Sequence, residues 1–219
     1  MGLDKAAEIQ GLSRCWYLAA AVTAIAFALQ LGGEGAREAL AYNREFVASG
    51  QLWRLATGHF VHLGWTHLLL NLGGLGLVFW LVGQAYNWRQ WLYVIGLSVA
   101  IIDAGFWFLY PELGWYVGLS GLLHGMLAAG IVAGLAARSG EAVVLAVVVA
   151  GKLAWEQFAG PLPGSEATSG GAVIVDAPVM TLVGRRGGVR EREDLVPGVT
   201  RVERPERGAG ARGVAAAGE

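Results

Sequence analysis

The amino-acid sequence predicts an all-α protein that crosses a membrane several times as a polytopic helix bundle. Two observations predict this fold class: 55% of the 219 residues are hydrophobic and only 15% are charged, and apolar stretches recur along most of the chain. The mean hydropathy of +0.49 is higher than that of an ordinary soluble domain. The formal net charge of −1 gives no indication of a nucleic-acid partner. We therefore expect the lipid bilayer to surround this chain.

The predicted spans follow from the length of helix that crosses the hydrocarbon core, about 20 mostly apolar residues. Five segments have this character: 16–31, 65–82, 91–110, 120–137 and 142–158. A sixth apolar segment, 172–183, is short and contains Asp176 and Pro178. The sequence thus predicts a bundle of six spans, of which the sixth is short or damaged.

Basic residues near the ends of the spans predict the orientation, because short loops rich in Lys and Arg stay cytoplasmic. The loops 111–118 and 159–171 contain neither residue type, and we expect both outside. The first loop contains three arginines and departs from this rule. We expect a cytoplasmic N-terminus at 1–15, a membrane domain at 16–184 and a disordered polar tail at 185–219. The basic residues assigned to the cytoplasmic side are Lys5, Arg14, Arg89 and Arg138.

A serine between glycines opens the fourth predicted span. Ser120 lies in a Gly-Leu-Ser-Gly motif, in which Gly118 and Gly121 allow a tight turn and the close approach of a substrate. Both glycines are therefore candidate substrate-binding positions. Glycine and serine are also common where membrane helices pack, so the motif alone does not distinguish catalysis from packing.

Two polar side chains lie near the same end of the second predicted span. His67 and Asn71 are at positions i and i+4, which places them on one helix face at about the depth of Ser120. Polar groups at that depth are costly unless they face a cavity or one another. Two side-chain donors beside a serine could form an oxyanion hole, and a hydrogen bond between helices is the structural alternative.

A Trp53-Arg54 pair in the first loop completes the pattern, although an interfacial Trp next to an Arg is common in membrane proteins. In order, spacing and predicted side of the membrane, the WR pair, the His-x-x-x-Asn motif and the Gly-x-Ser-Gly motif resemble the rhomboid family of intramembrane serine proteases. Within that family, the sequence GLSGLLHG at 118–125 most resembles the rhombosortases, small bacterial members with six spans.

The resemblance covers about residues 16–177. It implies that Ser120 is the nucleophile and that His67, Asn71 and the backbone N–H of Ser120 hold the oxyanion. It also implies a substrate anchored by a single span, which for rhombosortases ends in a Gly-Gly, apolar helix and basic-tail signal. The implied location is the bacterial inner membrane, with no cofactor and no metal.

The sequence departs from the family at the general base, a histidine of the sixth span. The last of the four histidines is His124, and the position that matches the base is Pro178, which cannot accept a proton. Three explanations stay open. The reading frame has shifted near Pro178, so that the tail is not authentic; the chain is an inactive rhomboid-like protein that binds transmembrane helices; or His124 serves as base, since i+4 places it on the face of Ser120.

Further polar residues in the spans have alternative interpretations. Lys152 and Glu156 are at i and i+4 in the fifth span, where they either neutralise one another or contact the substrate. A metal site at His59, His62 and His67 would need additional carboxylate or thiolate ligands, and we predict none.

Overall fold

Eight α-helices and two short β-strands form the part of the chain that the computed structural model describes, residues 2–159. All of these residues belong to one unit of the chain, residues 1–189. The predicted sixth span, the loop before it and the polar tail lie outside the described residues. The elements are α1 (Gly2–Leu31), α2 (Gly33–Leu40), β1 (Tyr42–Asn43), α3 (Arg44–Ala48), α4 (Trp53–Thr57), α5 (Trp65–Val82), α6 (Trp88–Phe108), β2 (Trp115–Tyr116), α7 (Ser120–Ala136) and α8 (Gly140–Ala159).

All five predicted spans within the described residues are helical over most of their length, although α6 ends two residues and α7 one residue before the predicted bounds. The segments Trp65–Ala85 and Trp88–Phe108 are long and apolar enough to cross a membrane, and a third is added if Cys15–Leu31 and α2, which meet at a bend of 114°, count as one span. Helix α7 is apolar but has only 17 residues. The architecture is that of an apolar, multi-pass helix bundle.

Helix α7 occupies the centre of the bundle, because it contacts α5, α6 and α8. Its buried face is apolar, with Leu122 and Met126 at most 1% exposed. Gly130 allows close approach to α5, since a Cβ at this position would overlap Val82. The helix that begins with Ser120 is therefore held on three sides by its neighbours.

The chain between α1 and α5 folds around one buried guanidinium. Arg54 is 5% exposed, and its Nη1 donates to the carbonyl oxygens of Glu38 at 2.7 Å and Ala41 at 2.9 Å. Its Nε donates to Oε1 of Gln51 at 2.7 Å, and the group lies 4.7 Å from the ring centroid of Phe46. The Arg of the WR pair thus joins α2, α3 and α4.

A two-stranded ladder connects this first loop to the residues that precede α7. Strands β1 and β2 are antiparallel, with Tyr42 opposite Tyr116 and Asn43 opposite Trp115. Tyr42 and Tyr116 also pack in one buried cluster with Phe106 of α6. The ladder therefore fixes the position of the turn that leads into Ser120.

Candidate active site

The turn before α7 presents Ser120 at an exposed helix N-terminus. Gly118 adopts φ = +114°, a conformation that favours glycine over residues with a side chain. Its N–H donates to the carbonyl oxygen of Gly58 at 3.1 Å, and its own carbonyl accepts from the hydroxyl of Tyr116 at 2.9 Å. The first glycine of the serine motif is thus held on both sides by neighbouring loops.

The polar pair of α5 lies against this turn. A Cβ at Gly118 would stand 2.9 Å from both Cε1 and Nε2 of His67 and 3.8 Å from Nδ2 of Asn71. The structure therefore brings together His67, Asn71 and the residue two positions before Ser120. The imidazole of His67 lies against the space that a side chain at position 118 would fill.

The hydrogen bonds of His67 indicate which ring nitrogen carries the proton. The backbone N–H of Leu63 donates to Nδ1 of His67 at 3.4 Å, so Nδ1 is an acceptor. In a neutral imidazole the proton is then on Nε2, the atom beside Gly118. His67 thus directs a donor toward the serine turn.

Asn71 is buried, with 6% of its surface exposed. Its Nδ2 donates to the carbonyl oxygen of His67, one turn earlier on α5, at 3.1 Å. A side-chain amide has two N–H donors, and this bond uses one of them. The bond orients the amide plane relative to the imidazole.

The sequence suggested His62 only as a member of a metal site that we do not predict, and the structure packs it against the imidazole of His67. The two ring centroids are 5.1 Å apart, and His62 is 2% exposed. Burial, followed by the electrostatic effect of His67, lowers the pKa of His62 to about 3. The ring is therefore neutral at physiological pH and adds no positive charge beside His67.

Tyr116 is a residue at the site that sequence reasoning did not single out. Its hydroxyl contacts the hydroxyl of Ser120 as well as the carbonyl of Gly118. Burial raises the pKa of Tyr116, although the hydrogen bond with Ser120 acts in the opposite direction. Only a tertiary contact reveals this residue, since Tyr116 belongs to no motif.

His124, Lys152 and Glu156 form a polar chain between α7 and α8. Nδ1 of His124 lies 2.7 Å from the carbonyl oxygen of Ser120, and Nε2 lies 3.2 Å from Nζ of Lys152. Nζ of Lys152 contacts both carboxylate oxygens of Glu156, at 2.9 and 2.8 Å. The predicted pairing of Lys152 with Glu156 is present in the structure, and the contact with His124 is additional.

The model of the Rhomboid domain matches residues 49–174, more than half of the chain. The chain belongs to the rhomboid family. This match includes the WR pair, the polar pair of α5 and the serine motif. No curated protein and no solved structure matches the chain.

Rhomboid proteins are generally intramembrane serine proteases that act on membrane proteins within the bilayer. The cluster at Gly118 lies at the start of α7, inside the matched region of this rhomboid domain. Pro178, the position at which the sequence resemblance predicts the family's base, lies outside both the match and the described residues.

The remaining buried histidine pairs with the one acidic residue of α6. Nε2 of His59 is 3.3 Å from Oδ1 of Asp103, a partner that the sequence could not name. Among the described residues, no three His, Cys, Asp or Glu side chains are grouped so that they could hold a metal ion. His59 therefore has a structural partner that accounts for its burial.

Proposed function

We propose that this rhomboid chain is an intramembrane serine endopeptidase of the rhombosortase type, with Ser120 as nucleophile. The observation that carries the proposal is the position of His67 and Asn71 beside Gly118, two residues before Ser120. Its substrates would be single-span membrane proteins, in particular those that end in a Gly-Gly anchor signal. The proposed location is the bacterial inner membrane, with the N-terminus in the cytoplasm.

The proposed reaction begins with attack of Ser120 Oγ on the carbonyl carbon of the scissile bond. The negative charge that develops on the carbonyl oxygen needs hydrogen-bond donors in a site sheltered from water. Nε2–H of His67, the amide of Asn71 and the backbone N–H of Ser120 are the donors we assign. The backbone N–H is available because the first N–H groups of a helix have no partner within it. Collapse of the tetrahedral intermediate breaks the C–N bond and releases the amine with a proton, which leaves the acyl-enzyme. Water then hydrolyses the ester to a carboxylate and restores the Ser120 hydroxyl.

The substrate backbone would approach Ser120 over the glycines at 118 and 121. The positive φ of Gly118 opens the turn toward His67. Gly121 is buried at the N-terminus of α7, directly after Ser120. The preference for a Gly-Gly signal rests on the resemblance of residues 118–125 to the rhombosortases.

The proton of Ser120 needs an acceptor, and this requirement supports a second candidate function. No histidine follows His124 in the sequence, and Pro178 stands at the position of the base. The free nitrogen of His124 faces Lys152 rather than the Ser120 hydroxyl, so its geometry gives little support to a role as base. Without a base, the same fold would bind transmembrane helices without cutting them.

Labelling with a fluorophosphonate probe distinguishes the two candidates. The full chain, purified in detergent, should react at Ser120, and Ser120→Ala should abolish the reaction. Ser98→Ala, which removes a buried hydroxyl from α6, is the matched control and should retain labelling. Cleavage of a single-span reporter with a Gly-Gly signal is the second readout.

Absence of labelling, under conditions that label an intact relative, would refute the enzyme proposal for this chain. Crosslinking of the uncut reporter to the chain would then support the helix-binding candidate. Translation of the other two reading frames after the codon for Ala177 tests the remaining explanation. A histidine followed by Gly-rich apolar sequence in either frame would indicate a frame-shifted protease gene.

A further inference from the structure

Three hydrogen-bonded side chains, those of Glu156, Lys152 and His124, lead from α8 to the backbone carbonyl of Ser120, the proposed nucleophile. We propose that Lys152 and Glu156 are positioning residues that hold His124 as the neutral, Nδ1-protonated tautomer and thereby fix the first turn of α7. The part of this inference that concerns Ser120 reactivity rests on the proposed function. The part that concerns His124 does not.

Nδ1 of His124 is hydrogen-bonded to the backbone of its own helix. A carbonyl oxygen has no proton, so the 2.7 Å contact between Nδ1 of His124 and the carbonyl oxygen of Ser120 requires a proton on Nδ1. A carbonyl oxygen has two lone pairs, and in a helix the other accepts the backbone N–H four residues later. The Ser120 carbonyl thus accepts two hydrogen bonds from His124, one from its backbone N–H and one from its ring.

The other ring nitrogen of His124, Nε2, contacts Lys152. An ammonium group can only donate, so Nε2 of His124, 3.2 Å from Nζ of Lys152, must be the acceptor. A doubly protonated ring would place an N–H against the Lys152 ammonium, with no acceptor between them. The two contacts together therefore select one tautomer in its neutral form.

All three N–H donors of Lys152 are used in this arrangement. An ammonium group has three N–H donors, and Nζ has three contacts: two with Glu156 and one with His124. Lys152 therefore has no donor left for a substrate group in this arrangement. This favours a role in positioning over direct substrate binding.

Glu156 is buried, with 7% of its surface exposed. A buried carboxylate is costly unless it is paired, and the bidentate contact with Lys152 offsets that cost. In return, the carboxylate accepts two of the Lys152 donors and leaves the third directed at His124. Both Lys152 and Glu156 are needed, because neither alone defines the direction of the Lys152 N–H that points at His124.

The consequence for chemistry follows from the place of the Ser120 carbonyl. It begins the peptide plane that joins Ser120 to Gly121, so its direction sets the first turn of α7 and the orientation of the serine side chain. Small errors in the placement of a nucleophile lower rates strongly, about a hundredfold for a displacement near 1 Å. Loss of the Lys152–Glu156 pair should therefore slow the reaction of Ser120.

The test uses the full chain in detergent with 15N-labelled histidine, and His124→Gln identifies the signals of His124. Wild type should show a pyrrole-type Nδ1 and a pyridine-type Nε2 at neutral pH. Lys152→Met should replace this pattern by a tautomer mixture or by an imidazolium paired with Glu156. Lys152→Arg, which keeps a charged donor, should restore the wild-type pattern in part.

The second readout is the rate of fluorophosphonate labelling, expected to fall between about tenfold and a hundredfold in Lys152→Met and Glu156→Gln. The control is Glu141→Gln, an exposed acidic residue of the same helix. An Nε2-protonated or doubly protonated His124 in wild type overturns the proposal, whether or not the variants fold.

The two readouts separate failure of this inference from failure of the proposed function. If Ser120 of wild type does not react, the enzyme proposal fails, and the tautomer of His124 still decides the positioning proposal. If the tautomer is as expected and Lys152→Met labels at the wild-type rate, then Lys152 does not position Ser120, and the inference fails while the enzyme proposal stands.

Discussion

Nε2 of His67 lies 2.9 Å from the point where a Cβ of residue 118 would stand, and that residue is Gly118. Because residue 118 has no side chain, the imidazole of His67 can lie against the serine motif, some fifty positions later in the sequence. The imidazole occupies the space beside the turn, and the Nδ1 contact with the Leu63 N–H turns its proton toward that space.

Gly118→Ala should damage both the fold and the site. The positive φ of +114° is unfavourable for alanine, and the added methyl group would contact the ring of His67. Strain of this kind costs about 1–3 kcal/mol in the free energy of unfolding. Thermal unfolding in detergent and fluorophosphonate labelling would both be measured, and both should decrease.

The matched control for this change is Gly114→Ala, in the loop before β2. A Cβ at Gly114 would have no atom within 4 Å among its surroundings, so stability and labelling should remain near wild type. Equal effects of the two substitutions would show that the loss comes from a general loop effect and not from the contact with His67.

His67→Ala and Asn71→Ala should each lower kcat of the proposed reaction by about a hundredfold to a thousandfold, because each removes a donor to the oxyanion. KM should change much less, since the donors act mainly in the transition state. Steady-state cleavage of the single-span reporter measures both constants. Thr66→Ala, an exposed neighbour on the same helix, is the control. A rise in KM with kcat unchanged would contradict the oxyanion role.

Arg54→Lys should destabilise the first loop although the charge is retained. Lysine cannot donate at once to Gln51, Glu38 and Ala41 in the planar arrangement that the guanidinium provides. Hydrogen bonds from charged groups contribute about 1.5–3 kcal/mol each, so we expect a loss of about 2–3 kcal/mol in the free energy of unfolding. Denaturant or thermal unfolding in detergent measures this loss.

Arg89→Lys provides the comparison for that experiment. Arg89 is exposed at the start of α6 and lies over the ring of Trp88 at 5.3 Å. Exposed interactions of this type contribute little, so the change in unfolding free energy should be under about 1 kcal/mol. A similar loss in both variants would mean that the contacts of Arg54 do not determine the stability of the loop.

His62 should make the protein less stable as the pH falls below neutrality. Its pKa is about 3 in the folded chain, against about 6.5 for an unperturbed histidine. Between these values the unfolded chain binds a proton and the folded chain does not. The contribution of His62 is therefore fully present above pH 6.5 and is lost toward pH 3, at up to about 1.4 kcal/mol per pH unit.

Comparison of unfolding at pH 7.5 and pH 5 tests this pH dependence. Other groups also titrate, so the useful quantity is the difference in slope between wild type and His62→Leu. The substitution removes the ring and should flatten the pH dependence, whatever its effect on absolute stability. Parallel slopes for the two proteins would show that His62 does not carry the effect.

The sequence predicted the helices well because the apolar composition of each span is a local property. The segments 65–82 and 120–137 nearly coincide with α5 and α7, and the i, i+4 spacing of Lys152 and Glu156 gave their ion pair. The count of six spans is not confirmed: among the described residues two helices, or three with the bent pair, are long and apolar enough to cross a membrane, and the predicted sixth span lies outside these residues. The short helices α2, α3 and α4 were not predicted, since they depend on contacts of Arg54 with distant carbonyl groups.

The sequence by itself determined that the chain is an apolar helix bundle, that it carries the rhomboid motifs, and that it has no histidine after His124. These properties depend on residue type and spacing alone. Only the tertiary structure decided which nitrogen of His67 faces Gly118, and that His124 contacts the Ser120 carbonyl and Lys152. Hydrogen-bond direction depends on the position of atoms from different helices, and sequence spacing does not specify that position.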